Sequence, residues 1–394
     1  MLAKRTSAAV SCVSNPLVGK VVGPRDLANE THNVERCFLD LRQLANAVIS
    51  DELISLPWLG FITADPRRVE GRCTISALSD DTVIAEGDVI RIAPKARYVD
   101  VLYRRSANAN ALFVTERCTN FCVMCSQPPR EVNDRWRITE LTQVIDLIDR
   151  TEQWLGITGG EPTLLGEDLY HLIRACGSKL PTTALHVLTN GRRFAEHPYA
   201  NQAQNVHHDV TWGIPLYGDV AHLHDYVVQH EGAFAETIRG LYQLARIGQK
   251  IEIRVVLVKD TLARLSKLAS YIRWNFPFVT HVALMGLEPQ GFARANYEAI
   301  WQDPADFASK LEDSVSILHN RGIRTSIYNL PLCVLPVSLW RFARRSISDW
   351  KNTYLDACAH CRVRDECCGF FSSATKHWIS RAITPISDLR EVSP

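Results

Sequence analysis

No run of eighteen apolar residues occurs in the 394-residue sequence, so no segment is expected to cross a bilayer as a helix. Neither sign of charge is in excess: 44 Lys and Arg face 43 Asp and Glu, for a net charge of +1. That balance argues against a long nucleic acid as partner, because such binding rests on a basic field, and equally against an acidic disordered coat. Internal repeats and low-complexity tracts are missing too, which excludes solenoids and linker-like chains. The opening MLAKRTSAAVSCVSNPLVGK has a basic start, but Ser, Asn and Pro break its mildly apolar middle before a secretory core forms. A cytoplasmic chain with reduced thiols and no membrane partner is therefore expected. Methionine is scarce, at three, whereas cysteine reaches twelve. Twelve is far below the density of a small secreted disulfide scaffold, so the spacing of the cysteines must say what they do.

Residues 1–108 read as a β-rich module. Short β-branched or aromatic runs at Trp58–Thr63, Thr82–Ala85 and Val89–Ile92 alternate with turn residues, and a helical stretch is expected over Leu39–Ile49. Residues 109–325 change rhythm to alternating strand and helix. Strands are expected at Ala111–Val114, Trp154–Thr158, Leu185–Leu188, Val210–Leu216, Ile251–Val258 and His281–Gly286. Ile251–Val258 reads as a nearly continuous apolar run, buried on both faces. Thr139 is placed to cap the first intervening helix, which carries Leu141, Val144, Ile145 and Ile148 at helical spacing. Alternation of this kind predicts an α/β fold with a parallel sheet, either an open one or a full or partial barrel, with the site at the carboxyl ends of the strands. Residues 326–394 lose the alternation and form a cysteine-rich extension.

Three thiols follow the first of these strands in the segment Arg117-Cys118-Thr119-Asn120-Phe121-Cys122-Val123-Met124-Cys125. Three thiolates on one short loop can hold three irons of a 4Fe-4S cluster and leave the fourth open to a small molecule. A zinc loop is the plainer alternative, but structural zinc is normally closed by four ligands in paired CxxC groups. After the second strand comes Ile157-Thr158-Gly159-Gly160-Glu161-Pro162. Its glycines would let the backbone approach a ligand closely, and the strand end would aim Glu161 at the open face of the cluster.

This pair of motifs resembles the radical S-adenosylmethionine superfamily, over roughly residues 109–325. The resemblance implies a partial (β/α)6 barrel in which Cys118, Cys122 and Cys125 hold the cluster and S-adenosylmethionine chelates its open iron. Gly159, Gly160, Glu161 and Pro162 would contact the methionine amino group. One electron from an external reductant would cleave the sulfonium, and the 5′-deoxyadenosyl radical would take hydrogen from a substrate. Met124 stands where relatives usually carry an aromatic residue, and it can still lie against an adenine. Thr189-Asn190-Gly191 and Pro215–Gly218 occupy places where relatives line the cofactor, with Pro215 or Tyr217 near a position that is often a ribose-bonding Ser. Arg254 would pair with the methionine carboxylate, or merely form an ion pair at a strand end. Met285 and Gly286 would offer backbone to the adenine, and Glu288 would be a substrate contact or a solvated charge.

The extension carries Cys358-Ala359-His360-Cys361, then Cys367-Cys368-Gly369, with Cys333 upstream. Four thiols suffice for a second, closed site. Tetrahedral zinc is one occupant; beside an iron-sulfur enzyme, a second 4Fe-4S cluster held by Cys333, Cys358, Cys361 and Cys367 is the preferred one. Cys368 competes with Cys367, and His360 reads as a neighbour or surface residue. Cys12, Cys37, Cys73 and Cys176 read as idle thiols. The wording of Asn329–Pro336, Arg344–Lys351, Cys358–Phe371 and Cys125–Pro129 resembles the C-type partner of His-Xaa-Ser system radical S-adenosylmethionine maturases. It implies a peptide or small-protein substrate rich in His-Xaa-Ser repeats and a second radical enzyme as partner. Tyr217, His224, Asp225 and Tyr328 are candidate groove walls. Arg341, Arg344 and Arg345 would bind phosphate if the substrate were instead a nucleotide or cofactor precursor. A non-enzymatic iron-sulfur or zinc protein is the third reading.

Overall fold

The structure is a computed structural model that describes residues 4–11, 13–23, 34–44, 50–64, 69, 71–346 and 351–387. Cys12 and much of the Arg344–Lys351 segment lie outside the described residues. By contacts the chain divides into two compact units, Met1–Val114 with Asn133–Ile157 and Glu167–Ala184, and Thr115–Val132 with Thr158–Gly166 and Leu185–Pro394.

The first unit contains a mixed sheet of β1 (Lys4–Ser7), β2 (Ala9–Ser11), β3 (Leu17–Val22), β4 (Cys37–Asp40), β5 (Gly60–Ile62), β6 (Thr74–Ser76), β7 (Val89–Ile92) and β8 (Tyr98–Tyr103). Their order is β1-β8-β7-β3-β4-β5-β6-β2. Successive side chains of a strand point to opposite faces, and here both faces are covered. Val21, Phe38, Ile62, Ile75 and Ile90 form one core; Val22, Cys37, Leu39 and Phe61 form another with Leu41 and Trp58. The β-rich module expected here is present, with two corrections. Leu39 belongs to β4 rather than to a helix, because its neighbours Cys37 and Phe38 are buried on alternate faces; Arg42–Leu44 is a single 3-10 turn, and 45–49 lie outside the described residues. Thr82 sits in the 3-10 turn Asp81–Val83, which Asp80 caps by accepting the Thr82 N–H, so this run is not a strand. The unit also holds β9 (Asn110–Phe113), α1 (Trp136–Leu147), β10 (Trp154–Thr158) and α2 (Glu167–Lys179). α1 begins before Thr139, which falls inside its first turn instead of capping it, while Leu141, Val144 and Ile145 are buried as their spacing predicts.

In the second unit β11 (Ala184–Leu188), β12 (Val210–Pro215), β13 (Lys250–Val256), β14 (His281–Met285), β15 (Arg324–Tyr328) and β16 (Ala343–Arg344) lie side by side in chain order. Each neighbouring pair is parallel. Between them run α3 (Ala221–Val228), α4 (Ala233–Arg246), α5 (Leu265–Asn275) and α6 (Ala308–His319). This is the α/β architecture with a parallel sheet that the alternation predicts, and β16 has β15 as its single neighbour, so the sheet is open at that edge as a partial barrel requires. The parallel run extends two strands past the His281–Gly286 strand, through residues read as extension from sequence.

Register sorts the side chains of this sheet. Ile214, Ile253 and Val282 align on one face, as do Val255, Leu284 and Ile327. All six are buried, and the helices carry matching apolar stripes such as Leu241 and Leu244, Leu268 and Ile272, and Leu311 and Val315. The opposite face presents Glu252 beside His281, and Val256, Met285 and Tyr328 in line. β13 is therefore an alternating strand with one polar face, not an apolar run buried alike on both sides. The remainder, 329–387, is built of short turns. It is tied to the segment after β14 by hydrogen bonds from Tyr297 Oη to the His377 carbonyl at 2.6 Å and from Arg294 to the Ser373 carbonyl at 3.0 Å, and by Arg381 paired with Asp303 and Asp306.

Candidate active site

The thiols Cys118, Cys122 and Cys125 sit on a loop held from four sides. The Thr115 carbonyl accepts the Gly160 N–H at 2.7 Å and the Arg117 carbonyl accepts the Glu161 N–H at 2.8 Å. Asn190 Nδ2 donates to Thr119 Oγ1 at 2.8 Å, and Arg192 reaches the Thr119 carbonyl and Asn120 Oδ1. The N–H groups of Phe121 and Val123 bond the carbonyls of Val228 and Val227 at the end of α3. From the segment after β14, Asn296 Nδ2 donates to the Val123 carbonyl at 2.8 Å, and the Phe292 N–H donates to that of Cys125. Every one of these anchors is a segment leaving the carboxyl end of a strand or the helix that follows it. The site therefore sits where α/β folds place chemistry.

The two glycines permit a close contact within the protein itself. A Cβ at Gly160 would stand 2.2 Å from the Arg117 carbonyl oxygen, and one at Gly159 would stand 2.5 Å from that of Thr115. They let the two loops touch. Nor does Glu161 face outward. It is 1% exposed, and its Oε1 accepts from Thr163 N, Thr163 Oγ1 and Thr189 Oγ1 while its Oε2 accepts from Asn190 N at 2.6 Å. Burial pushes its pKa up against the pull of these four donors. Glu161 is thus a buried knot joining the loops after β10 and β11. Pro162 opens the 3-10 turn Pro162–Leu165, where a missing N–H costs nothing. Asn190 is likewise engaged inside the protein, its Oδ1 accepting the Arg192 N–H at 3.1 Å.

Burial raises the pKa of Cys118 to about 12, with further upward pushes from Glu161 and from Cys125. Burial and the fields of Cys125 and Cys118 raise Cys122 also, and burial raises Cys125, whose Sγ–H donates to the Gln127 carbonyl at 3.0 Å. Three mutually interacting thiols thus occupy one half-buried neighbourhood. Among the described residues no three His, Cys, Asp or Glu side chains converge tightly enough to hold one metal ion. An iron-sulfur cluster does not ask for that convergence, because each thiolate binds a different iron. The donor set fits such a cluster.

Met124 and Tyr217 are buried with Val123, Leu223 and Val227 in an apolar core beneath this loop. His224 lies 5.8 Å from the Tyr217 ring, stacked on it, and its Nδ1 accepts the Tyr217 N–H. Burial drops its pKa to about 4. Asp225 accepts the N–H groups of Gly232 and Phe234 at the start of α4. Tyr217, His224 and Asp225 are therefore framework, not groove wall. Tyr328 is half-buried on the polar face of the sheet, level with Met285. Arg254 Nη1 donates to Glu252 Oε1 at 2.6 Å and Nη2 to Met285 Sδ at 3.2 Å. Glu288 is neither solvated nor open: Lys351 pairs with it at 3.3 Å. Arg344 Nη1 folds back on the carbonyls of Arg341 and Ala343, and Arg345 Nη1 donates to the Asp365 carbonyl.

In the extension Cys333, Cys358, Cys361 and Cys367 line one cavity with Pro331, Tyr354 and Phe370. Cys367 Sγ accepts the N–H groups of Leu332 and Gly369, both at 3.4 Å. A hydrogen bond from Cys368 and these two N–H groups outweigh burial and bring its pKa down to about 6. Cys368 is buried and donates to the Gly369 carbonyl instead of lining the cavity. His360 is exposed. Cys37 and Cys176 are buried and Cys73 is partly so. The residues that sequence reasoning missed are Thr119, Thr163, Arg192 and Glu252. The first three are ordinary polar residues whose value lies in loop-to-loop bonds, and Glu252 sits in a strand read as an apolar run.

Neither a family model nor a curated protein matches the sequence. Solved structures do match. The chain is similar to SuiB of Streptococcus suis bound to S-adenosylmethionine, at 16% identity and TM-score 0.45, over 63% of this chain and 55% of that one. It is also similar to native anSMEcpe with bound AdoMet, at 19% identity and TM-score 0.42, over 56% of this chain and 63% of that one. A radical SAM methyltransferase from Sphaerobacter thermophilus is similar at 14% identity and TM-score 0.44, over 73% of this chain and 77% of that one. The chain thus spans little more than half the length of SuiB.

Proposed function

We propose that this chain is a radical S-adenosylmethionine enzyme that modifies a peptide or small protein. The observation that carries the reading is the half-buried trio Cys118, Cys122 and Cys125, locked against Gly159–Pro162 and Thr189–Asn190 at the carboxyl side of a parallel sheet. In their thiolate forms these residues would hold three irons of a 4Fe-4S cluster. When bound, the cluster supplies the electron that splits the sulfonium of S-adenosylmethionine and so starts hydrogen abstraction from a substrate carbon. Glu161 and Asn190 fix the loops, so that Gly159 to Pro162 and Met285 offer main chain to the cofactor while Arg254 offers its side chain. An external one-electron reductant is required.

Cys333, Cys358, Cys361 and Cys367 form the second site, for which a 4Fe-4S cluster is the proposed occupant. Cys367 is preferred over Cys368 because its sulfur faces the cavity and already accepts two backbone N–H groups, which favour a thiolate. The near-zero net charge supports a peptide over a polyanion. The His-Xaa-Ser maturase reading, with a second radical enzyme as partner, rests on the sequence wording alone. The test is to reduce the iron-loaded enzyme with dithionite beside S-adenosylmethionine and a synthetic His-Xaa-Ser repeat peptide, and to weigh the peptide. A mass change that needs S-adenosylmethionine supports the reading; an unchanged peptide beside freshly formed 5′-deoxyadenosine removes the substrate and keeps the radical chemistry.

A further inference from the structure

The polar face of the second unit's sheet carries a connected network beneath the cofactor site. Glu252 is its hub. Its Oε2 lies 2.6 Å from His281 Nδ1, and His281 Nε2 lies 2.9 Å from Ser326 Oγ. A carboxylate only accepts, so His281 donates from Nδ1 to Glu252, and its Nε2 is paired with the Ser326 hydroxyl. On the other side His186 Nε2 is 3.3 Å from Glu252 Oε1, the oxygen that also takes Arg254 Nη1 at 2.6 Å. Glu252, His281 and Ser326 are all buried. Fixing such a network in an interior is costly unless each member is satisfied, and here the members converge on one carboxylate. The network is not symmetric along the strands. His186, Glu252 and His281 lie toward their amino halves, whereas Arg254 is two residues nearer the carboxyl end of β13 and touches Met285, the last residue of β14.

Two contacts, Glu252 Oε1 on Nη1 and Met285 Sδ on Nη2, set the plane of the guanidinium and leave further N–H donors of Arg254 uncommitted. A planar fork held in this way suits a carboxylate. Space supports the geometry: a Cβ at Gly213 would meet His186 Nε2 at 2.9 Å and Arg254 Cδ at 3.1 Å, so the small residue on β12 leaves room for the network.

We infer that Glu252, braced by His186, His281 and Ser326, is a positioning residue that holds Arg254 to receive the carboxylate of bound S-adenosylmethionine; this rests on the radical-enzyme reading above. Arg254 touches the ligand, and Glu252 acts only through it. The experiment compares S-adenosylmethionine with decarboxylated S-adenosylmethionine by equilibrium dialysis, using anaerobic, iron-loaded full-length protein. Hydrogen bonds from a charged donor to a carboxylate separate the two by ~10- to 100-fold in Kd. Wild type should show that preference, and Glu252→Gln should reduce it to about twofold, with iron content retained. A purely structural role would weaken both ligands equally and keep the ratio, and that result overturns the inference. If Glu252→Gln does not fold, Glu252→Asp carries the same comparison, because its shorter side chain cannot keep the 2.6 Å contact. Wild type that binds S-adenosylmethionine without preferring it also overturns the inference while leaving the function intact; wild type that takes up iron yet binds neither ligand removes the function itself.

Discussion

At the residue scale, two neighbouring cysteines are assigned different tasks by where their sulfurs point. Cys367 lines the cavity of the second site and Cys368 does not. Reconstituted wild type should hold about eight irons, Cys367→Ala about four, and Cys368→Ala the wild-type number, counted with acid-labile sulfide. Loss of iron in Cys368→Ala with retention in Cys367→Ala would reverse the assignment. One zinc beside four irons would change the metal. Glu161 is a second case. Glu161→Ala would leave the donors of Thr163, Thr189 and Asn190 without their acceptor in a buried site, at a cost of about 3 kcal/mol or more in denaturant unfolding. His224 makes the third, and pH exposes it. Its folded pKa of about 4 lies below the ordinary 6.5, so the unfolded chain binds the proton more readily. The stability from neutral His224 is therefore complete above pH 6.5 and lost as pH falls toward 4, on the order of 3 kcal/mol in total. Melting temperatures of His224→Gln should fall less steeply than those of wild type across that window.

At the element scale, the cysteine loop owes its shape to segments far away in sequence. Gly160 illustrates the dependence, because the atom a side chain would strike is backbone and cannot swing aside. Gly160→Ala should push the two loops apart and cost about 2 kcal/mol or more, with reduced iron uptake at the first site while the second stays loaded. Normal uptake at both would show that the contact is dispensable. Sequence reading found the GGEP segment as a motif but not the loop-to-loop contact that its glycines permit, since close approach between two chain segments leaves no periodic trace. It likewise found β13 but not its polar face: Lys250, Glu252 and Arg254 are three charges in seven residues, and alternation is visible only once register sets Glu252 and Arg254 beside His281 and Ala283. The strands β11 to β14 were legible because β-branched runs bounded by glycine or helix caps identify themselves. β15 was missed because Arg324-Thr325-Ser326-Ile327-Tyr328 reads as polar, although Thr325, Ser326 and Ile327 are buried.

At the scale of the whole molecule, α/β class, the parallel sheet and a β-rich N-terminal part all follow from the order of runs and turns, whereas the same order leaves open sheet and barrel alike. How the tail is fastened does not, because Asp303, Asp306 and Glu288 find Ser380, Arg381 and Lys351 only after folding. The central claim concerns the trio of thiols, and it is tested by 5′-deoxyadenosine. Anaerobic wild type, loaded with iron and sulfide, given S-adenosylmethionine and reduced with dithionite, should release 5′-deoxyadenosine, and Cys122→Ala should release none. Absence of the product from fully loaded wild type, or its persistence in Cys122→Ala, would contradict the account.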